Sequence, residues 1–398
     1  MLKGLGSAGL LSLPLVISSS ATLLYVSSYA GTVTTLNLTL PSVDNTTTAA
    51  LEAISSSTGC ASSPSWLTLD STKSVLYCTD EGLTTPLGSL SSFQTNSDGN
   101  LVQLDQLSVI SGPVSAIIYG GGEGLALAQY GGSSFSTFSV ADPSVLEPLQ
   151  NRTFKLQQPG TVPDRQDAPH PHEALLDPTG GYILVPDLGA DLVRVFRVEE
   201  GGLNWTAIDA LVAAPGSGPR HATFLVTGNR TYLYLIQELA NTITGYDVTY
   251  NSDSTLGFTE LFTITTHGAG GIVPSGAAAA EITLTPDNNF LIVSSRNESS
   301  LTIPNFDVSN STEIVSDALI TFSVDHSSGD LALLQTFPAG GRFPRQFSIN
   351  KAGDLVAVGL QSDSRVVIIQ RDTESGLLKR FIANATVAGE VTSVVFDE

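Results

Sequence analysis

Four short stretches in the second half of the chain carry the residue types that move protons and hold anions. They are His170-Pro171-His172-Glu173, Gly218-Pro219-Arg220-His221, Ala280-Glu281 and Phe343-Pro344-Arg345-Gln346. Each stands just before an apolar run and a turn, so four consecutive units offer His, Arg, Glu and Arg at equivalent places. The ends of adjoining runs add Asp187, Gln237-Glu238, Arg296-Asn297 and Gln361. An imidazole titrates near neutrality, which suits His172 to proton transfer, while His170 either orients it or binds a turn carbonyl. The forked guanidiniums of Arg220, Arg296 and Arg345 match a carboxylate or a developing oxyanion. The competing reading is structural, with Glu238 and Glu281 pairing these arginines only to hold the chain together. His267 and His326 fall outside the pattern and read as structural histidines.

What must position these residues is a repeated β-unit, clearest over Ala168–Val198. There, apolar residues spaced by two alternate with Asp/Pro/Gly clusters: a turn at Asp177-Pro178-Thr179-Gly180, a strand over Tyr182–Pro186, a turn at Asp187–Asp191 and a strand over Leu192–Val198. Weaker copies centre their turns near residues 72, 122, 228, 287 and 352. The intervals suit four short strands per unit, a propeller blade. Six units have an inner strand. The N-terminal pair, Thr22–Val26 and Thr32–Leu38, lacks one, and Val391–Phe396 is a spare strand at the C-terminus. The sequence therefore predicts one all-β, seven-bladed β-propeller over residues 22–398, its ring closed by the C-terminal strand joining the N-terminal blade. Inner strands line a central funnel, where the residues above would converge. The first three blades offer Ser, Pro, Trp and Gly at those places, which puts the chemistry in the second half. The Gly/Ala-rich stretch Thr265–Ala280 reads as an insert, either a cover over the pocket or a tolerated surface loop.

With 17 basic and 38 acidic residues the net charge is −21, which excludes nucleic acid as a partner; isolated inward arginines still suit an anionic small molecule. No apolar run reaches the roughly 20 residues a membrane span needs. Residues 1–21 read as a secretory signal peptide, with Lys3, the apolar Leu5–Ile17 and the small-residue exit Ser18–Ala21, and imply a secreted, extracellular protein. Glycosylation acceptors at Asn37, Asn45, Asn151, Asn204, Asn229, Asn297, Asn310 and Asn384 agree with export. Cys60 and Cys78 form one disulfide in such a chain; two buried thiols are the alternative. No metal-ligand set and no cofactor motif is present, and nothing sets the oligomeric state.

The runs PHPHEALLDPTGGYILVPDLGADLVRVF, GSGPRHATFL, YLIQELANTITGYDV, AAEITLTPDNNFLIVSSRNESS and GRFPRQFSINKAGDLVAVGLQSDSRVVII resemble the lactonase family of seven-bladed propellers. That family includes 6-phosphogluconolactonases and carboxy-cis,cis-muconate cyclases, and the resemblance is specific over residues 165–371. It implies a metal-independent enzyme, a lactonase or muconate cycloisomerase, that opens or closes the lactone ring of an anionic, carboxylated substrate. The muconate cyclase pattern implies catalytic roles for His172, Arg220, Glu238 and Arg296. His172, oriented or assisted by Glu238, would shuttle the proton while the two arginines hold the changing charge. His170, Glu281 and Arg345 are the candidate substrate-binding residues. Two other functions suit an exported propeller: binding an anionic small molecule without turnover, and a purely structural glycoprotein.

Overall fold

Strand after strand in this chain is buried on both faces. Val75–Asp80 and Leu355–Leu360 are buried at every position, and such strands need a covering layer on each side. The computed structural model, which describes residues 21–41 and 49–398, supplies those layers as a ring of blades. The expected signal segment lies outside the described residues except for Ala21, and so does Asn45.

Seven four-stranded antiparallel sheets radiate from a common axis. Blade 1 runs outward through Val391–Phe396, Ala21–Ser28, Thr32–Thr39 and Ala50–Ser57. Blades 2 to 7 begin at Pro64–Asp70, Pro113–Tyr119, Leu175–Leu176, Pro219–Thr227, Ala278–Leu284 and Pro344–Ile349. The two ends of the chain therefore meet in one sheet, with Leu24 opposite Phe396 and Ser27 opposite Ser393. Closure leaves no blade without its inner strand.

Seven apolar clusters hold the ring, one at each junction between neighbouring blades. Alternate residues of one strand serve opposite junctions: Leu24 and Val26 pack toward blade 7, and Tyr25 packs toward blade 2. Cys60 and Cys78 are joined as a disulfide inside the junction of blades 1 and 2, their Cα atoms 5.9 Å apart.

Blade 6 differs from the expected unit. A hairpin, Leu301–Pro304 with Glu313–Ser316, is inserted between its second and third strands. The stretch Thr265–Ala280 is less of an insert than its composition suggests. Thr265 ends the outer strand of blade 5, and Ala278 begins the inner strand of blade 6. Between them the chain is tied down by His267 Nε2 to Glu298 (3.1 Å) and by Asn241 Nδ2 donating to the Ala277 carbonyl (2.8 Å).

One local irregularity recurs in all seven blades and positions the site. Near its start, each inner strand carries one residue more than the strand it pairs with. Pro219 pairs with Gln237 and His221 with Ile236, which leaves Arg220 unpaired. Pro344 and Gln346 leave Arg345 over in the same way, Pro64 and Trp66 leave Ser65, and Pro113 and Ser115 leave Val114. Thr392 is the extra residue in blade 1, and Ala280-Glu281 stand opposite the single Ser294 in blade 6. In blade 4 the bridge from Pro171 to Asp187 precedes the Leu175–Leu184 pair, so His172 falls in the same irregularity. A bulge of this kind re-aims a side chain, here toward the axis. Proline suits the residue before it, because its ladder partner loses nothing that the bulge has not already broken.

Candidate active site

The bulges generate a ring of seven residues at the funnel: Thr392, Ser65, Val114, His172, Arg220, Ala280 and Arg345. A second ring comes from the end of each second strand: Tyr29, Glu81, Tyr130, Leu188, Glu238 and Gln361 just past it, and Arg296 as the last strand residue in blade 6. In six blades its backbone N–H donates to the carbonyl preceding the bulge, for example Glu81 to Ser63, Glu238 to Gly218 and Gln361 to Phe343. A third ring, one residue deeper on the inner strands, includes Trp66, Ser115, Glu173, His221, Glu281 and Gln346. Several of its members stitch one blade to the next: Ser115 Oγ accepts from the Ala174 N–H, Glu173 from Ala222 and Gln346 from Val394.

From these rings the fold assembles a relay of hydrogen bonds. Glu281 Oε1 lies 2.9 Å from His221 Nδ1, and His221 Nε2 lies 3.1 Å from His172 Nδ1. Proton positions along it follow from charge. Burial would raise the Glu281 pKa, but His221 and Arg220 outweigh it and hold the carboxyl below its usual value. An ionised carboxylate only accepts, so His221 carries its proton on Nδ1. Burial also lowers the His221 pKa against the pull of Glu281, which keeps the ring neutral and makes Nε2 an acceptor. His172 must then donate from Nδ1. Burial first, and the Arg220 charge next, push its pKa well below the usual histidine value. The chain ends on His172 Nε2, a lone pair with no hydrogen-bond partner among the described residues, which is what a general base needs. Trp66 meets the His221 ring edge-on at 5.6 Å, and Tyr130 meets His172 edge-on at 5.7 Å.

Beside the relay sits an arginine cluster built on Glu238. Arg220 Nε and Arg296 Nη2 lie 2.9 and 2.8 Å from Oε2, and Arg165 Nη2 lies 2.6 Å from Oε1. Burial alone would raise the Glu238 pKa; Arg296, Arg220 and Arg165 overcome it and take it down to about 2. Three guanidiniums on one carboxylate leave a positive excess in a protein whose total charge is −21. Burial and the neighbouring Arg296 push the Arg220 pKa down to about 9. The contact of Arg220 Nε with Glu238 is an ion pair without a hydrogen bond's alignment, and Nη1 is enclosed without any acceptor. Buried donors left unmatched are uncommon in native proteins and mark where a further acceptor would be most stabilised. Arg296 donates to the Ala278 and Ala279 carbonyls and lies 5.1 Å above the Phe343 ring. Phe343 has φ +63°, a left-handed conformation that bulky residues avoid. Asp317, accepting the Phe343 N–H at 2.6 Å, helps hold it there.

The expected residues thus divide. His172, Arg220, Glu238 and Arg296 converge in one buried cluster near the axis. The orientation of His172 is corrected: His221 and Glu281 hold its imidazole, whereas Glu238 is bound to three arginines and has no hydrogen bond to it. Glu281 is accordingly part of the relay, with Oε1 on His221 and Oε2 enclosed, and not a substrate contact. His170 is corrected as well. Its Nδ1 faces the Tyr130 carbonyl (3.1 Å), its Nε2 faces Asp167 (3.0 Å), and its ring stacks on Tyr130, so no nitrogen is left for a substrate. Arg345 lies near the same cluster but pairs with Glu81 at 3.3 Å and donates to the Tyr29 hydroxyl at 2.7 Å. Tyr29, Trp66, Glu81 and Tyr130, from blades 1 to 3, border the same cluster, so the surroundings of the second-half residues are drawn from the whole ring. Of the expected glycan acceptors, Asn151, Asn204, Asn229, Asn297 and Asn310 are exposed. Asn384 is half-buried, and so is Asn37, whose Oδ1 is enclosed.

Sequence reasoning missed Arg165, Glu173 and the role of His221. Arg165 sits in a long connection with no strand pattern. Glu173 shows its signal in being a carboxyl between His172 and an apolar run. It is half-buried, and its Oε2 accepts the Ala222 N–H of the next blade. Burial, and then Glu281, push its pKa well above the usual carboxyl value.

Together, fold and funnel define a seven-bladed propeller with a positively biased axial site served by an imidazole relay. The chain belongs to the lactonase family: the family described as "Lactonase, 7-bladed beta-propeller" matches residues 23–396. A protein named probable 6-phosphogluconolactonase from Arthroderma benhamiae is 33% identical over 319 residues, covering 79% of this chain and 75% of that protein. A 6-phosphogluconolactonase from Formosa agariphila is 27% identical over 337 residues, 83% of this chain and 88% of its own length. The structure of the periplasmic gluconolactonase of Pseudomonas aeruginosa superposes with a TM-score of 0.77 at 24% identity over 95% of this chain and 99% of that one, a likeness of fold.

The relay predicts a pH dependence. With the His172 pKa depressed, the acid limb of kcat/KM lies below pH 6.5. Glu281→Gln removes the charge that favours a protonated His221–His172 pair. It should move that limb to still lower pH while cutting kcat on the order of 10² to 10⁴-fold, read from pH–rate profiles of both proteins.

Proposed function

We propose that this protein is a lactonase that hydrolyses the ring ester of an anionic lactone, with no step routed through a metal. The observation that carries this reading is the Glu281–His221–His172 chain ending on an unpartnered imidazole nitrogen beside Arg220 and Arg296. His172 Nε2 takes a proton from water as the water oxygen bonds to the lactone carbonyl carbon. The carbonyl oxygen becomes an oxyanion facing Arg220 and Arg296, and the imidazolium is balanced through His221 by Glu281. Collapse breaks the ring C–O bond, the leaving alkoxide takes the proton from His172, and the product is an open-chain hydroxy acid. The arginine excess around Glu238 supports a substrate or product with a carboxylate or phosphate group. The names of the relatives from Arthroderma benhamiae and Formosa agariphila support a phosphorylated sugar lactone. Ring closure of a carboxylated muconate places the same changing charge on a carboxyl oxygen and is the second reaction to assay.

Secretion belongs to the same proposal. Its support is the apolar leader of residues 1–21, the Cys60–Cys78 disulfide and the five exposed Asn-X-Ser/Thr sites. Expressed in a eukaryotic host, the full chain should be recovered from the medium and lose mass on enzymatic deglycosylation. Retention in the cell without glycan would contradict this.

Purified protein should hydrolyse lactones in a pH-stat assay over a panel of neutral, phosphorylated and carboxylated substrates, equally with and without chelator. His172→Ala should abolish turnover with the fold intact, and Arg220→Met or Arg296→Met should each cost about 10²–10³-fold in kcat/KM. Tight carboxylate binding without turnover would instead make the protein a binder.

A further inference from the structure

Tyr29, Glu81 and Arg345 take no part in the proton relay or in the Glu238 cluster, yet Arg345 lies close enough for its charge to depress the pKa of His172, His221 and Arg220. We propose that Glu81 is a specificity-determining residue whose free carboxylate oxygen accepts hydrogen bonds from hydroxyl groups of the lactone, the ring of which rests against Trp66 and Tyr29. This deepens the lactonase reading and rests on it.

The hydrogen bonding of the triad leaves one acceptor over. Burial holds the Tyr29 phenol well above its usual pKa, so it keeps its proton. It donates that proton to Glu81 Oε1 and accepts from Arg345 Nη1 at 2.7 Å. Arg345 Nη2 also approaches Glu81 Oε1, at 3.3 Å. Glu81 Oε2 has no hydrogen-bond partner among the described residues, and the Glu81 and Arg345 side chains keep 12% and 15% of their surface open. A carboxylate oxygen only accepts. It favours a hydroxyl and repels a second carboxylate, and Arg345 behind it removes the need for a cation. The two sides of the funnel therefore differ in charge: the Glu238 side carries excess positive charge, and the Glu81 side pairs one carboxylate with one guanidinium. Half-buried Trp66 packs on the apolar cluster between blades 2 and 3 and stands edge-on to His221; the C–H face of a ring would rest on the part of its indole left open beside the relay.

The consequence is discrimination between lactones with the same reacting group. The test compares glucono-δ-lactone with δ-valerolactone, which has the same ring size and no hydroxyls, on wild type, Glu81→Gln and Glu81→Leu. Native-like circular dichroism would establish that the variants fold, at a lower melting temperature because Arg345 loses its partner. Wild type should favour the hydroxylated lactone. Glu81→Leu should lower its kcat/KM about 10- to 100-fold, chiefly through KM, and leave δ-valerolactone within about twofold; Glu81→Gln should fall between. Equal losses on both substrates, or no loss on either, would overturn the proposal. Binding keeps the two readings apart. In His172→Ala, gluconate should bind more tightly than 5-hydroxypentanoate by calorimetry, and adding Glu81→Leu should erase the difference. That result without wild-type turnover would contradict the lactonase reading while supporting the hydroxyl seat. Equal binding of the two acids would overturn the hydroxyl seat even in an active lactonase.

Discussion

Each blade opens with two residues facing one, and the contents of the funnel follow from that mismatch. A regular antiparallel pair would send alternate side chains into the two blade junctions, where seven apolar clusters leave no room for a guanidinium. The bulge frees one residue per blade from that alternation. Blades 4, 5 and 7 use it for His172, Arg220 and Arg345; blades 2, 3 and 6 use it for Ser65, Val114 and Ala280. One scaffold irregularity, repeated by ring symmetry, thus yields an asymmetric site once the residue types differ.

Burying so many charges would be ruinous without the pairing the structure shows. An unpaired buried ion costs several kcal/mol after relaxation, and removing one partner of a buried pair typically costs about 3–5 kcal/mol. Glu238 therefore acts first as the anchor that lets Arg220 and Arg296 lie together near the axis. Glu281 does the corresponding work for the histidines, and its charge sets both tautomers. Glu173, with its pKa raised, avoids adding a third negative charge close by. The acidic exterior and the positive funnel are consistent with one another because the field at the site is decided by groups a few ångströms away.

The propeller and its closure were legible because a repeat multiplies weak local signals, and Val391–Phe396 had no partner within its own neighbourhood. The outer strand of each blade is half exposed and irregular, so Ala50–Ser57 and Leu101–Val109 left no clear pattern. The blade 6 hairpin was hidden by an Asn/Asp/Ser-rich tip that reads as loop. His172, Arg220, Glu238 and Arg296 were legible as rare residue types at repeated places. What stayed hidden was pairing across blades: His221 meets Glu281 sixty positions away, and Arg345 meets Tyr29 across almost the entire chain. Aromatic residues such as Tyr29 and Trp66 look like core in a sequence, and only ring closure brings them opposite the arginines.

The account stands on the proton positions along Glu281, His221 and His172. Long-range ¹H–¹⁵N correlation spectra of histidine-labelled protein report them directly, with five histidines to assign. At pH 7 the account predicts that His172 and His221 are both neutral and protonated on Nδ1, with an unprotonated Nε2 on His172 whose resonance is lost in His172→Ala. An Nε2-protonated tautomer at His172, or an imidazolium there at neutral pH, would contradict it.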